Sequence, residues 1–480
     1  MVSIERNLRG IECFATIIFN KELLMSSHQG SNAPVQLTSR SSASEYSAWP
    51  VSDLDVRYII SRASGATPVS GFGAVRDFED LGRGDESNLL HANFRPTRAI
   101  SPPLFGVTVG DRLRGNQSPF VIRSPINIAP MSIGGINVTT ARILGIGAAG
   151  LCYINSGEGG FGTHSEAGAD TILQIGTAKI GMARYASSHS TRLTLLDEDK
   201  LLDLIARHPQ IKLIQLKISQ GAKPGAVMLP GRKLSPVVAL IRGHTPGQQH
   251  ISPLNHCEIE AATATESMGK LLGFITRIRS LTGLPVGIKL SMGSPAELAD
   301  FTRLMAECDQ YPDQITLDGA DGGTSAAHDL IANYMGYGSV HSAVYCVDKL
   351  LKDHGLRQKV VVSASGKLYT PIRALQAFAL GAQSIETARG FLIALGCNQC
   401  RQCHTEHCPY SLTSSEAPAY SELQERELAK RVSNYVRGFN DDIDSLTRIC
   451  GLDSPLNVTV DHFRGPFLKN IVNEIEEILR

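Results

Sequence analysis

The chain has 480 residues, long for one ordinary domain but suited to a barrel of roughly 250 residues with extensions. Apolar residues make up 42 % and charged residues 19 %, a globular balance. Lys plus Arg and Asp plus Glu are 46 each, so charge gives no ground for nucleic-acid binding or for attraction to an anionic membrane.

The N-terminus, MVSIERNLRGIECFATIIFNKELL, carries scattered charges and no small-residue cleavage site, so it does not read as a signal peptide. Residues 26–50, rich in Ser and polar residues, read as loop or partly disordered chain. Residues 51–110 hold short mixed segments with several Gly and Pro, suited to wrapping a barrel. No apolar run is long enough to span a bilayer.

From residue 126 the pattern changes to short apolar runs, most of them followed by helix-like stretches. They are INIAPM (126–131), GLCYIN (150–155), TILQIG (171–176), IKLIQLKIS (211–219), LPVGIKL (284–290), QITLDG (314–319), VVVSAS (360–365) and QSIETA (383–388). Continuous apolar strands separated by helices imply a parallel sheet buried on both faces. Eight such units predict an α/β fold of the (β/α)8 TIM-barrel type; an open, doubly wound sheet is the alternative. The expected division is an N-terminal extension over 1–100, the barrel over 101–395, a cysteine loop over 396–415 and a helical C-terminal segment over 416–480. The stretch 220–262 is too long for a simple βα loop and is expected to be an active-site excursion. AYSELQERELAKRVSNYVRGFNDDIDSLTRICG and FLKNIVNEIEEILR have helical periodicity.

Of ten cysteines, four fall in GCNQCRQCHTEHCPY: Cys397, Cys400, Cys403 and Cys408, followed by Pro409. This is close to a bacterial ferredoxin run. Zinc, with His404 and His407 near, is the second reading of the spacing, and free thiols the third. A metal site there points to a reducing compartment and so to the cytoplasm. A phosphate site is expected where barrels often bind one, after strands seven and eight. There Ser365 leads into Gly366 and Lys367, and SIETA leads into Arg389 and Gly390. Two Gly-rich loops follow other strands: NSGEGGFG, from Asn155 with Glu158 embedded, and DGADGGTS, with Asp318, Gly319, Gly322 and Gly323. Such loops suit a large flat ligand that approaches the backbone closely; ordinary turn glycines are the bland reading. Lys289 ends its strand where its charge can stabilise an anionic ligand in the mouth, or is simply a solvent-exposed strand-end lysine. Lys217, Lys223 and Arg242 can clamp a carboxylate, or simply form a solvated basic face.

These strings, with QGAKPG (220–225), LPGRK (229–233), RGHTPG (242–247), ISPLNH (251–256) and DGADGGTSAA (318–327), resemble the FMN-binding synthase domain of glutamate synthase. APMSIGG (129–135), SGEGG (156–160) and QIGTAKIG (174–181) match too, and the resemblance runs from about 90 to about 415. The one-domain form looks like the stand-alone members without a glutaminase domain. The resemblance implies FMN across the barrel mouth and electrons arriving through an iron–sulfur cluster. It also implies reductive amination of a 2-oxo acid of the 2-oxoglutarate type, or the reverse oxidation of an amino acid. Carried over by position, Cys397, Cys403 and Cys408 hold a 3Fe-4S cluster, with Cys400 an extra thiol that would suit 4Fe-4S. Lys223 and Arg242 hold the 2-oxo acid, Thr177 stands where a serine helps, and Glu158 is the acid of the loop. Ala129, Pro130, Met131, Ser132, Asn155, Gln174, Lys217 and Lys289 belong to the flavin side. A ferredoxin or reductase subunit as electron donor, and a homo-oligomer, are the expected partners.

Several positions depart from the family pattern. Met228 precedes Leu229 where a Gln is frequent, in a loop one residue shorter. Phe161 follows GEGG where an acid is frequent, and His328 and Asp329 replace an Ala-Pro context. These departures leave open an FMN enzyme of the same fold with another substrate, used in specialised biosynthesis. A non-catalytic, cluster-bearing subunit is the reading from a different class.

Overall fold

The computed structural model describes residues 51–68, 87–94, 105–110, 118–162, 167–185, 194–221, 228–320, 329–416 and 420–480. The expectation for residues 26–50 lies outside them, as do Lys223, Gly322, Gly323 and His328.

All eight apolar runs form strands. They are β1 (Ile126–Ile128), β2 (Ile154–Asn155), β3 (Thr171–Ile175), β4 (Ile211–Lys217), β5 (Val286–Ser291), β6 (Gln314–Asp318), β7 (Val361–Ser365) and β8 (Ser384–Thr387). They pair in parallel in the order β5-β6-β7-β8-β1-β2-β3-β4 and close on themselves, because β4 also pairs with β5. The closed barrel removes the doubly wound alternative. Outward residues such as Ile214, Leu216, Ile288, Ile315, Leu317, Val362 and Ile385 pack into one apolar core with the helices.

The interior differs from the branched aliphatic layers usual in such barrels. Gln215 accepts from Asn155 at 2.9 Å and Gln174 at 2.7 Å, and donates to Thr316 at 3.0 Å. Gln314 donates to Ser363, whose hydroxyl meets Ser384 at 2.7 Å. At the strands' N-terminal end an antiparallel hairpin, Val107–Val109 with Phe120–Ile122, packs on Tyr153, Ile172, Leu213 and Val361. Phe120 meets the Tyr153 ring edge-on, with centroids 5.9 Å apart.

Around the barrel, α1 (Asp53–Ala63) precedes β1, and α2 (Val138–Ala148) follows it, its first turn capped by Asn137 on the Thr140 amide at 2.8 Å. A hairpin of Ala183–Tyr185 with Thr194–Leu196 and then α3 (Glu198–Arg207) follow β3. The excursion after β4 holds α4 (Pro236–Arg242) and a two-residue hairpin, Met228–Leu229 with His250–Ile251, before α5 (Ala264–Thr282). Next come α6 (Pro295–Cys308), α7 (Asp329–Tyr334), α8 (Val340–Asp353), α9 (Pro371–Ala379) and α10 (Arg389–Ala394). The tail forms α11 (Glu422–Ile449), opened by a Ser421–Gln424 capping box, and α12 (Phe467–Ile478). α11 packs on α1 and α2, and Gly147 is what lets it close in, since a Cβ there would meet Val432 Cβ at 2.5 Å. Among the described residues no helix is long and apolar enough to cross a membrane.

Candidate active site at the barrel mouth

The strand ends bring one group of charged side chains together. Lys217 ends β4 and forms a buried ion pair with Glu158 from the loop after β2. Arg242, the last residue of α4, is 2 % exposed, and its Nε and Nη2 donate to the Ile133 carbonyl at 2.9 and 2.6 Å. Its Nη1 is buried with no hydrogen-bond partner among the described residues. Burial lowers the guanidinium to about 10, while the nearby Glu158 works in the opposite direction. A buried cation with an unused donor is suited to a carboxylate ligand.

Three histidines surround this group. His250 is lowered to about 4 by burial and then by His244 and Arg242, and the two imidazoles lie 4.2 Å apart. His256 is lowered to about 4 by burial and then by Lys179, and its Nε2 lies 3.0 Å from the Lys217 carbonyl. That carbonyl can only accept, so Nε2 carries the proton and the ring is the neutral tautomer. Lys179, fully buried, pairs with Glu258 at 2.9 Å.

The second group lies one strand over. The β4–β5 register sets Lys217 beside Lys289, and Lys289 faces Asp318 at 3.3 Å and Ser365 at 3.4 Å. Glu386 on β8 is wholly buried and accepts from the Tyr153 hydroxyl at 2.9 Å. Burial pushes its carboxyl up to about 7; Lys289 and the Tyr153 bond pull the other way, and Asp318 adds to the rise.

Several of the loop glycines are needed for packing within the protein itself. A Cβ on Gly157 would strike Ser132 N at 2.7 Å, and one on Gly159 would strike Arg242 Nη2 at 2.8 Å. A Cβ on Gly176 would strike the Glu158 side chain. These glycines let the loops after β1, β2 and β3 pack on one another, with Glu158 close enough to act on Arg242. Close approach of a ligand is not needed to explain them. The Cβ position of Gly390 points at Tyr435 Oη, 2.7 Å away, so a side chain there would meet α11, and its amide donates to Thr387 Oγ1 at 3.4 Å. Gly366, at φ 126° and with Gly319 N 3.2 Å from its Cβ position, and Lys367, at φ 54°, do lie beyond β7 at the mouth. Thr177 is committed elsewhere, donating to the Pro253 carbonyl at 2.7 Å. Asn155 and Gln174 are tied into the interior network, and the Ala129 amide donates to the Thr387 carbonyl at 3.1 Å. Pro130, Met131 and Ser132 are half-buried in the loop after β1.

The cysteine loop follows α10 directly. Four of its non-glycine residues, Gln399, Arg401, Glu406 and Ser411, have φ between 51° and 69°. Such turns gather backbone amides into concavities that suit anionic clusters. Burial pushes the Cys397 thiol up, while the Gln399 amide and Arg389 favour its thiolate; Cys403 and Cys408 are close enough to act on it. Among the described residues no group of three His, Cys, Asp or Glu is arranged to hold a metal ion. The loop is tied to the excursion after β4. The wholly buried Lys233 bonds the Thr413 carbonyl and pairs with Glu406 at 2.7 Å, and Arg232 donates to the His404 carbonyl at 3.1 and 2.9 Å.

The conserved region in glutamate synthase matches residues 107–453 of this chain. The chain belongs to the glutamate synthase family. It is 34 % identical over 349 residues to the glutamate synthase large subunit-like protein YerD of Bacillus subtilis (strain 168), over 72 % of this chain and 64 % of that one. It is 27 % identical over 350 residues to the archaeal glutamate synthase [NADPH] of Methanocaldococcus jannaschii, over 71 % of this chain and 62 % of that one. The chain thus spans less than two thirds of the length of either relative. Among solved structures, the recombinant flavin-binding domain of baker's yeast flavocytochrome b2 superposes with a TM-score of 0.45 at 12 % identity, covering 88 % of this chain and 81 % of that one.

Of the family-derived residues, Glu158, Lys217 and Arg242 come together, and Lys289 with Asp318 and Ser365 forms a neighbouring set. Sequence reasoning missed His244, His250, Lys179, Lys233, Tyr153 and Glu386. For Glu386 a signal was present: SIET alternates Ser384 and Glu386 with Ile385 and Thr387. That pattern gives a strand one polar face, here the barrel interior.

Proposed function

We propose that the chain is an FMN- and iron–sulfur-dependent oxidoreductase that aminates a 2-oxo acid of the 2-oxoglutarate type, or runs the reverse oxidation of an amino acid. The observation that carries this reading is the buried Glu158–Lys217 pair beside Arg242, whose Nη1 lies buried without a partner among the described residues. Arg242, together with Lys223, would hold substrate carboxylates. Glu158 would hold or move the proton that the amine nitrogen exchanges, with Lys217 keeping it charged until a substrate displaces that contact. The packed glycine loops keep water from the pair, which strengthens each electrostatic contact.

Bound FMN would supply hydride chemistry, and the cluster would supply electrons one at a time. The chemistry of the residues supports both groups, although among the described residues the cysteines are not arranged around a metal ion. For FMN, Gly366 and Lys367 adopt turn conformations next to Gly319, and Arg389 follows β8. The flanking residues would be Ala129, Pro130, Met131, Ser132, Asp318, Ser365 and Lys289, with Gly322 and Gly323 completing the loop after β6. For the cluster, Cys397, Cys403 and Cys408 would supply the thiolates, and the Gln399 amide and Arg389 beside Cys397 favour the charged form against its burial. The barrel would then be the FMN domain over 101–395, fed by the cluster loop over 396–415, in a cytoplasmic enzyme served by a ferredoxin or reductase subunit.

Anaerobic purification tests this. The protein should carry FMN and iron, and bound reduced flavin should be reoxidised by a 2-oxo acid with ammonia. Protein without flavin would favour the non-catalytic reading. Flavin that responds only to other substrates would favour the same-fold enzyme with a different acid, which Met228 and the imidazoles beside Arg242 support.

A further inference from the structure

Inside the barrel, Lys289 pairs with one carboxyl group and lies close enough to act on a second, Glu386. Lys289 pairs with Asp318 at 3.3 Å, which leaves Glu386 as the surplus acid. Glu386 is wholly buried. One oxygen accepts from Tyr153; the other is buried with no hydrogen-bond partner among the described residues, with Asn155 beside the carboxyl. The groups that act on it come from three strands or their ends: Tyr153 and Asn155 at β2, Lys289 on β5 and Asp318 on β6. An unpaired ionised carboxyl in such a place is costly, so its charge depends on how much of Lys289 is left for it.

We propose that Glu386 is a positioning residue for Lys289: it takes up a proton when an anion docks against Lys289 at the mouth, and releases it when the anion leaves. The reasoning is electrostatic. With no anion present, Lys289 favours the Glu386 carboxylate. An anion against Lys289 offsets that attraction, and the buried acid becomes neutral by drawing a proton from solvent. By linkage, the anion binds more tightly as pH falls and Glu386 protonates. Its carboxyl lies near neutrality, at about 7, so the coupling falls in the working range. The flavin part of this inference rests on the function proposed above, where the anion is the reduced ring.

Two measurements test it separately. In flavin-free protein, infrared titration should show a buried carboxylic C=O band that disappears near neutral pH and is missing in Glu386→Gln. A Glu386 ionised throughout, with no such band, would overturn the proposal whatever the protein binds. In flavin-loaded protein, reduction should take up as much as about one more proton near neutral pH in wild type than in Glu386→Gln. Equal pH slopes of midpoint potential in the two proteins would also overturn it. Tyr153→Phe, which removes the donor to the carboxylate, should shift the infrared titration upward and serves if Glu386→Gln does not fold. Protein that binds no flavin would defeat the functional reading, leaving the infrared result to decide on Glu386.

Discussion

At the barrel mouth, side chains are placed by strand register. Lys217 and Lys289 are neighbours because β4 and β5 pair there, and Ser365 and Glu386 because β7 and β8 do. The cysteine loop has no strand to set its geometry. Its thiols are placed by short covalent spacing, by four left-handed residues and by the ties that Lys233 and Arg232 make to it from the excursion. A rigid sheet can hold a costly buried charge pair. A loop needs anchors from outside itself, and here they come from the segment that carries Arg242. The two regions should therefore fail independently when their own groups are removed, and together when the anchor is removed.

The largest effects should separate the regions cleanly. Glu158→Gln should lower turnover by about a hundred- to ten-thousand-fold, the usual worth of a general acid or base, with iron and flavin content unchanged. Cys403→Ser should lose essentially all cluster iron while flavin stays bound. Iron loss in Glu158→Gln would break the comparison. The anchor comes next. Lys233→Met leaves Glu406 with no cation, at a cost of roughly 3 kcal/mol for a broken buried pair. Urea denaturation should show that loss. Lower iron content together with weaker 2-oxo acid binding should accompany it, since the strap joins both regions.

Protonation gives a smaller effect confined to the barrel. Glu386 is raised in the folded protein from 4.5 to about 7, so the folded state binds the extra proton and stability falls as pH rises between those values. Glu386→Gln should therefore be more stable than wild type above neutral pH by about 3 kcal/mol at most. His250 and His256 have the opposite sign. Both are lowered from 6.5 to about 4, so stability is lost as pH falls through that window. His250→Gln should flatten the acid side of the profile, as thermal melts across pH would reveal.

The fold was legible because its period is simple: every apolar run from 126 to 388 became a strand, and both tail segments became helices. The site was legible where charge lies at or near a strand's end, as at Lys217 and Lys289, or sits among glycines, as at Glu158. The reason for the glycines was not. Composition cannot tell a Gly that clears a ligand from one that clears Arg242 or Tyr435, because both require the missing Cβ. The interior polar layer was also missed. A strand expected to be buried on both faces draws attention to its apolar residues, and Gln215 meets Thr316, and Glu386 meets Tyr153, only once the barrel closes.

Cys400 carries the smallest expected effect and the sharpest test of the loop. Its spacing from Cys397 and Cys403 is ferredoxin-like, so spacing alone admits it as a fourth ligand. Cys403 and Cys408 act on the Cys397 thiol, and Cys400 acts with Cys397 and Cys408 on the Tyr410 hydroxyl. Cys400 is also bracketed by left-handed residues, Gln399 at φ 62° and Arg401 at φ 59°, which turn the chain on both sides of it. Three thiolates suffice for a three-iron cluster, and a fourth would bring a fourth iron and a different potential. Cys400→Ser should therefore leave iron content, the EPR signature and turnover unchanged, while Cys397→Ser and Cys408→Ser abolish the cluster. A four-iron signature in wild type that becomes a three-iron one in Cys400→Ser would make Cys400 a ligand and overturn the three-cysteine account.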